Sequence, residues 1–556
     1  MQLLYAFIIS MTTIKLNDDI LLSVRKPARY IGKEHNAIEK DWDKISTRVC
    51  LCFPDVYEIG MSNLGIKILY HILNSCEDAL CERAFTPWLD MEELMRNKKI
   101  PLFSLESKRP VSDFDIIGFS ISYELSYTNI LTMLDLAGIP LRSKDRQNKN
   151  FPLIIAGGTC SFNPEPLAEF IDLFLIGEGE EAVTEIIDTY KRYKGKKELL
   201  SELAKIEGAY VPSLGSQVPV KKRVVKELSN EYFPTVPIVP YIPAVHDRIT
   251  LEIMRGCPHN CRFCQARSIY SPVRIRRPGD IRSLAKDSYD KTGLDEISLL
   301  SLSTSDYPGL ENLLAELSGD FCSLGVGISL PSLRVEDKIK QLPSLISFIK
   351  KSGLTFAPEA GTERLLEVIG KNIDHKKLFD AIRQAYRLGW RRLKLYFMIG
   401  LPSEEKADLE GIVEISEKAA MLRKEFSRHP AEIIISVSSF VPKPHTEFER
   451  LPMAGPDELK QKQAFLKERI GRRRYLKLKL HDIKTSVLEA TFSRGDRALS
   501  NVLVSAWKNG ARFDAWTESF KPEVWDKAFL DNNISKKDYL KAIPPGQILP
   551  WPAITL

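Results

Sequence analysis

The chain has 556 residues, 44% hydrophobic and 27% charged, the composition of a globular protein too long for one ordinary core and suited to two to four domains. Its net charge of +6 is a mild bias that does not by itself imply nucleic acid. Nine cysteines, three of them bunched with metal-type spacing, exclude a disulfide framework and point to a reducing cytoplasm; no apolar run approaches the eighteen residues of a membrane span.

Residues 3–9 are apolar but lack a basic flank, a small-residue cleavage site and the length to cross a bilayer, which leaves Met1 and Met11 as alternative starts. Residues 1–45 read as an arm. The apolar run Arg48-Val49-Cys50-Leu51-Cys52-Phe53-Pro54 suits a buried strand, and residues 63–74 carry Leu64, Ile68, Leu69, Ile72 and Leu73 on one helical face. Further apolar runs at residues 115–122, 152–158 and 171–177 alternate with helical segments. This βαβ rhythm predicts a Rossmann-like parallel sheet over residues 46–200. Cys50 and Cys52 share a strand face, and buried cysteine as a small hydrophobe is the default reading for them and for Cys76, Cys81 and Cys160. Residues 191–197 form a basic run, read as a solvated helix end. Residues 201–245 read as a linker, with prolines three apart from Pro234 to Pro243.

A strand at residues 248–255 then delivers Arg255-Gly256-Cys257-Pro258-His259-Asn260-Cys261-Arg262-Phe263-Cys264. Three soft thiols within eight residues favour an iron–sulfur cluster or zinc. Three local ligands on a [4Fe–4S] cluster leave one iron open to bind another molecule, whereas zinc would close its tetrahedron with His259. Strand-then-helix units repeat after the loop, at residues 296–303, 325–330, 354–358, 392–399 and 432–440. With the strand before Cys257 they make six.

The CxxxCxxC loop, with Phe263 before its last cysteine, resembles the signature of the radical S-adenosylmethionine superfamily. Residues 355–364, 396–402 and 439–446 resemble its fourth, fifth and sixth strand ends. The resemblance implies a partial (β/α)6 barrel over residues 246–455, with function at the carboxyl ends of its strands. It implies a [4Fe–4S] cluster on Cys257, Cys261 and Cys264 that reduces S-adenosylmethionine to a 5′-deoxyadenosyl radical, drawing electrons from a donor such as flavodoxin or ferredoxin. Toward that molecule it implies Phe263; Ser301, Ser303 and Thr304 near the amine; Ser329, Ser332 and Glu359 near the ribose or amine; Arg364 on the carboxylate; and the backbone at Gly400 on the adenine. Glu359 and Arg364 pairing each other near a helix start is the structural alternative, and the serines as helix caps another. We assign no catalytic acid, base or nucleophile.

In the first domain, Asp55-Val56-Tyr57-Glu58-Ile59-Gly60 resembles the DxHxxG loop of cobalamin-binding domains, with Ser120 and the pair Gly157-Gly158 at the matching later strand ends. Tyr57 stands where that family has its cobalt-ligating histidine, so cobalamin binds without a histidine ligand or has been lost. The layout as a whole, covering most of residues 25–551, resembles an uncharacterised radical S-adenosylmethionine family with a cobalamin-binding-like domain.

Residues 456–556 predict a small, mostly helical module with aromatics from Trp507 to Phe529, acting as core or as a lid over the barrel mouth. The basic set at residues 467–479, which includes Arg472, reads as a charged exposed face or an RNA-binding strip. The expected activity is radical chemistry on an unknown substrate, with cobalamin-dependent methyl transfer in the lead. The alternatives are a methylthiotransferase acting on RNA or protein, with a second cluster in the first domain, and a non-catalytic iron–sulfur or cobalamin sensor.

Overall fold

The computed structural model describes residues 13–147, 151–215, 219–329, 354–471, 473–551 and 554–555. The apolar segment at 3–9, Met1, Met11, Ser332 and Arg472 lie outside the described residues. Among the described residues no helix is long and apolar enough to cross a membrane.

The first sheet is built from β1 (Thr47–Phe53), β2 (Ala79–Phe85), β3 (Ile116–Ser120), β4 (Leu153–Gly157), β5 (Leu173–Leu175) and β6 (Ala209–Tyr210), in the order β2-β1-β3-β4-β5-β6. Only β6 runs antiparallel, and its position past residue 200 carries the sheet into the segment expected to be linker. The order reverses between β1 and β3, which opens a crevice at their carboxyl ends. One face packs on α1 (Leu64–Ser75) and α4 (Ala182–Arg192). Asn63 starts α1 by accepting from the Ile66 amide at 3.1 Å. The other face packs on α2 (Leu89–Lys98) and α3 (Tyr127–Leu136). The arm joins this second core through Ile20, Val24 and Tyr30, and the proline-rich stretch is docked, with Ile238 buried against the first face.

The barrel begins with β7 (Ile249–Glu252), α5 (Pro278–Thr292), β8 (Glu296–Leu300), α6 (Leu310–Phe321) and β9 (Gly327–Ser329). It continues with β10 (Leu354–Glu359), α7 (His375–Arg387), β11 (Arg392–Ile399), α8 (Lys406–Leu422) and β12 (Glu432–Ser439). All six expected strands are present and pair parallel within two arcs, β9-β8-β7 and β10-β11-β12. After α9 (Pro456–Ile470), β13 (Leu476–Leu480) adds a parallel strand to β12. This strand corrects two expectations at once: the barrel sheet runs on past residue 455, and part of the basic set is strand.

Four helices follow: α10 (Ile483–Ser493), α11 (Leu499–Lys508), α12 (Pro522–Asp531) and the short α13 (Lys536–Leu540). Helix α10 straddles the molecule, burying Ile483 and Val487 against the barrel and Leu488 and Phe492 against the first domain. Helices α11 and α12 complete the α3 side of the first sheet with Val502, Leu503, Trp507, Trp525 and Phe529. The aromatic module is therefore core of the first domain rather than a lid on the barrel.

Candidate functional site

Gly256 swings the chain out of β7 into the cysteine loop with φ +86°; a Cβ there would fall 2.8 Å from the carbonyl oxygens of Tyr270 and Pro272. The loop is clamped to the turn beyond β10. Arg262 donates its amide to Ile369 O at 2.9 Å and Nη1 to Val368 O at 3.1 Å. Gly370, at φ +66°, lets Asn260 O come within 2.8 Å of where a Cβ would stand. Cys257, Cys261 and Cys264 are all partly exposed thiols.

His259 is already engaged: its Nε2 lies 2.6 Å from Asp306 Oδ2, an oxygen that also accepts from Ser303 Oγ. A tetrahedral zinc with Zn–S near 2.3 Å would hold its sulfurs roughly 3.8 Å apart. Among the described residues no three Cys, His, Asp or Glu side chains gather closely enough to grip one ion. In a [4Fe–4S] cluster each thiolate binds a different iron, so the three sulfurs stand farther apart. Three thiolates suit the three protein-held irons of such a cluster, and the Asp306 contact takes one of the two ring nitrogens of His259.

At the barrel mouth Ser301 and Thr304 share a buried hydrogen bond of 3.0 Å, and Ser303 is buried beside them. Glu359 ends β10 at φ +70°, after a register shift from Phe356, and pairs with Lys371 at 2.9 Å. A non-glycine residue at such a φ is strained. Phe263 packs on the cluster of Leu366, Ile369, Phe440 and Phe448.

Three of the expected residues have protein partners. The guanidinium of Arg364 pairs with the buried carboxylate of Asp408 and donates to Ser403 O at 3.0 Å, so it is held by a protein carboxylate and not by Glu359. Ser329 ends β9 level with Ser298, the middle residue of β8, and lies 3.4 Å from Arg248 Nη1. The amide of Gly400, at φ +78°, is taken by Glu404 Oε2 at 2.9 Å.

The first-domain loop splits as well. Ser120, Gly157 and Gly158 line a cavity of about 450 Å³, whereas Asp55, Tyr57 and Gly60 do not. Tyr57 is buried against Phe85 and donates its hydroxyl to Glu34 Oε1 at 3.0 Å, which corrects its assignment to a cobalt-facing position. Burial foremost, with Glu34 beside it, drives that phenol's pKa far up. Gly60 is small because Phe85 fills the space of its Cβ, and Asp55 accepts from Trp516 Nε1 at 3.0 Å.

The cavity has an apolar floor of Leu51, Ile116, Gly118 and Ile155 from the sheet, and walls of Leu69 and Leu73 on α1 and Ile187 on α4. From there it opens past Gly158, whose φ of +107° puts its would-be Cβ 2.6 Å from Ile121 O, to Arg255, Gly256, Tyr270 and Ser301 at the barrel. It thus joins the crevice of the first sheet to the root of the cysteine loop.

The description "Radical SAM superfamily" matches residues 251–415, and "Radical SAM proteins, N-terminal" matches residues 65–212. The chain carries a radical SAM domain. As a radical SAM enzyme it uses a [4Fe–4S] cluster and S-adenosylmethionine. It is 28% identical over 503 residues to an uncharacterized protein of Methanocaldococcus jannaschii, covering 88% of this chain and all of the relative. It shares its fold with the radical S-adenosylmethionine methyltransferase TsrM of Kitasatospora setae, solved with cobalamin and a [4Fe–4S] cluster. That match has 13% identity and TM-score 0.56 over 88% of this chain and 100% of TsrM. It also shares the fold of the cobalamin-dependent S-adenosylmethionine radical enzyme OxsB, at 17% identity and TM-score 0.51 over 88% of this chain and 72% of OxsB.

The radical SAM loop is stapled to the first domain by residues outside the cysteine motif. Arg255 pairs with Glu180 at 2.6 Å, Glu252 at 2.8 Å and Glu178 at 3.4 Å. Burial works against its charge, but the three carboxylates outweigh it and push the guanidinium's pKa up. Glu178 is also gripped by Arg274 at 2.6 Å, and despite burial its two arginines hold its carboxyl below the usual range. The signal was the run Gly177-Glu178-Gly179-Glu180 after β5, whose two glutamates look solvent-bound until β7 is laid beside them.

Proposed function

We propose that this radical SAM enzyme is cobalamin-dependent and transfers a methyl group. The observation that carries the reading is the continuous cavity, apolar between sheet and helices and polar where it reaches the cysteine loop. The apolar slot suits the nucleotide tail of cobalamin, with Ser120, Gly157 and Gly158 at its rim. Such a site offers no histidine among its lining residues. The [4Fe–4S] cluster on Cys257, Cys261 and Cys264 supplies the electron that cleaves S-adenosylmethionine, and cobalamin supplies the methyl carrier. The protein holds the thiolates apart on the Arg262 and Gly370 clamp and positions Ser301, Ser303 and Glu359 at the mouth. A low-potential donor such as flavodoxin or ferredoxin would feed the cluster, and nine cysteines with no disulfide among the described residues favour the cytoplasm.

Cys50, Cys52 and Cys160 are buried on the α3 side of the sheet and Cys81 on the α1 side, and a methylthiotransferase stays the second reading.

Anaerobic reconstitution tests the proposal. About four irons and four sulfides per chain are expected, lost on Cys257→Ala, Cys261→Ala or Cys264→Ala, together with reductant-dependent 5′-deoxyadenosine formation. Cobalamin should bind, and the electron paramagnetic resonance spectrum of its Co(II) form should show no nitrogen coupling from a protein histidine. Failure to bind cobalamin would remove methyl transfer, and stoichiometric zinc in place of iron would remove the cluster.

A further inference from the structure

In β11, β12 and β13 every second residue packs outward on the helices: Leu393, Leu395 and Phe397, then Ile433 and Ile435, then Leu476. The intervening residues therefore face the barrel lumen. Register sets them in rows. Arg392 sits beside Glu432; one row up, Lys394 beside Ile434 and Lys477; above that, Tyr396 beside Ser436 and Lys479; at the mouth, Met398 beside Ser438. Four cations thus share this wall with one carboxylate. Glu432 is consumed at the bottom, 2.9 Å from Arg392 and 3.1 Å from Lys477. Lys394 lies 4.3 Å over the Tyr396 ring and 2.5 Å from its hydroxyl, and no carboxylate pairs with it or with Lys479 among the described residues. Tyr396 on β11 and Lys479 on β13 are exposed, and the far edge of β13 carries no described neighbour.

An arc of six apolar β-strand side chains could have filled this lumen. Instead it presents two ammonium groups with no carboxylate partner among the described residues, an aromatic ring and serine hydroxyls one to two rows below the mouth. We propose that this wall binds the substrate through a phosphate group, with Lys394 and Lys479 as its anionic anchors and Tyr396 as the platform for an attached base. Ammonium groups are point-charge ligands for phosphate, and a ring among cations is the composition that holds a nucleotide. The proposal rests on the radical SAM reading, which puts the reactive carbon at the mouth directly above these rows, and it narrows the unknown substrate to a phosphate-bearing nucleoside or an RNA strand.

The test is equilibrium binding to the reconstituted holoprotein with S-adenosylmethionine present, using uridine, uridine 5′-monophosphate and a short oligouridylate as probes. The phosphorylated probes should bind and uridine should not, with affinity falling as salt rises. Lys394→Gln and Lys479→Gln should each weaken binding by about tenfold, and Lys479→Glu by more. Tighter binding of the oligomer assigns the phosphate to RNA; equal binding assigns it to a free nucleotide. Equal affinity for uridine and its phosphate, or affinity that survives both substitutions, overturns the proposal. Iron content and 5′-deoxyadenosine formation in the same samples report separately on the enzyme reading, so their loss with lysine-dependent binding intact would overturn that reading and leave the anion site standing.

Discussion

Replacing Arg364 by alanine takes a cation away from Asp408, a carboxylate only 1% exposed that keeps the Thr362 hydroxyl and the Glu405 amide as donors. Half-exposed guanidinium is screened by solvent, so the loss should be about 1–2 kcal/mol, below that of a fully buried pair. The expected outcome of Arg364→Ala is a lower urea midpoint, with iron content and S-adenosylmethionine affinity unchanged. A tenfold loss of affinity at constant stability would return Arg364 to the ligand. The three cysteines were legible because their chemistry is local, eight residues of one loop. Arg364, Ser329 and Tyr57 were not, because each partner lies 23 to 81 residues away and register alone decides which side chain it meets.

The contact between α3 and the returning chain carries a pH dependence. Asp514, buried and accepting from Thr128 Oγ1 at 2.7 Å and Trp525 Nε1 at 2.7 Å, has its pKa pushed up to about 6, chiefly by burial. Raised in the folded state, it favours folding below the unfolded value near 4 and costs stability as pH rises through about 6. Asn offers one acceptor to Trp525 and one donor to Thr128, so Asp514→Asn removes the ionisation and keeps the contacts. The stability difference between variant and wild type, measured by urea unfolding, should swing toward the variant by up to about 3 kcal/mol between pH 4 and pH 7.5. A pH-independent difference would mean Asp514 does not titrate there. The strand and helix alternation of both sheets was readable from apolar periodicity. Strand β13 was hidden because Lys477 and Lys479 occupy its lumen face, and a strand alternating leucine with lysine in a basic stretch reads as a solvated charge run.

At the scale of the molecule, Arg255 and Lys443 are the joints. Lys443, after β12, reaches Glu124 beyond β3 at 2.7 Å and Glu489 on α10 at 2.9 Å, tying three parts of the chain at the mouth. Arg255→Ala would leave Glu178, Glu180 and Glu252 facing one another beside the cysteine loop, with only Glu178 still held by Arg274. The expected result is a loss of about 3–5 kcal/mol, the cost of breaking a buried pair, and faster alkylation of the loop thiols in the metal-free protein. Alkylation at the wild-type rate would show that the loop is held by the Gly370 clamp alone.

The return of α11 and α12 to the first domain also sets a timetable. Leu131 and Ile130 on α3 are fully covered in the finished protein, partly by Val502 and Leu503 from the other end of the chain. During synthesis more than 360 residues separate Leu136 from Leu499, roughly 20–70 s at ordinary elongation rates. Throughout that interval the nascent first domain carries a bare apolar face while the whole barrel is made. Its sheet closes late, through contacts of very high sequence separation, and the waiting surface is what a chaperone would have to shield.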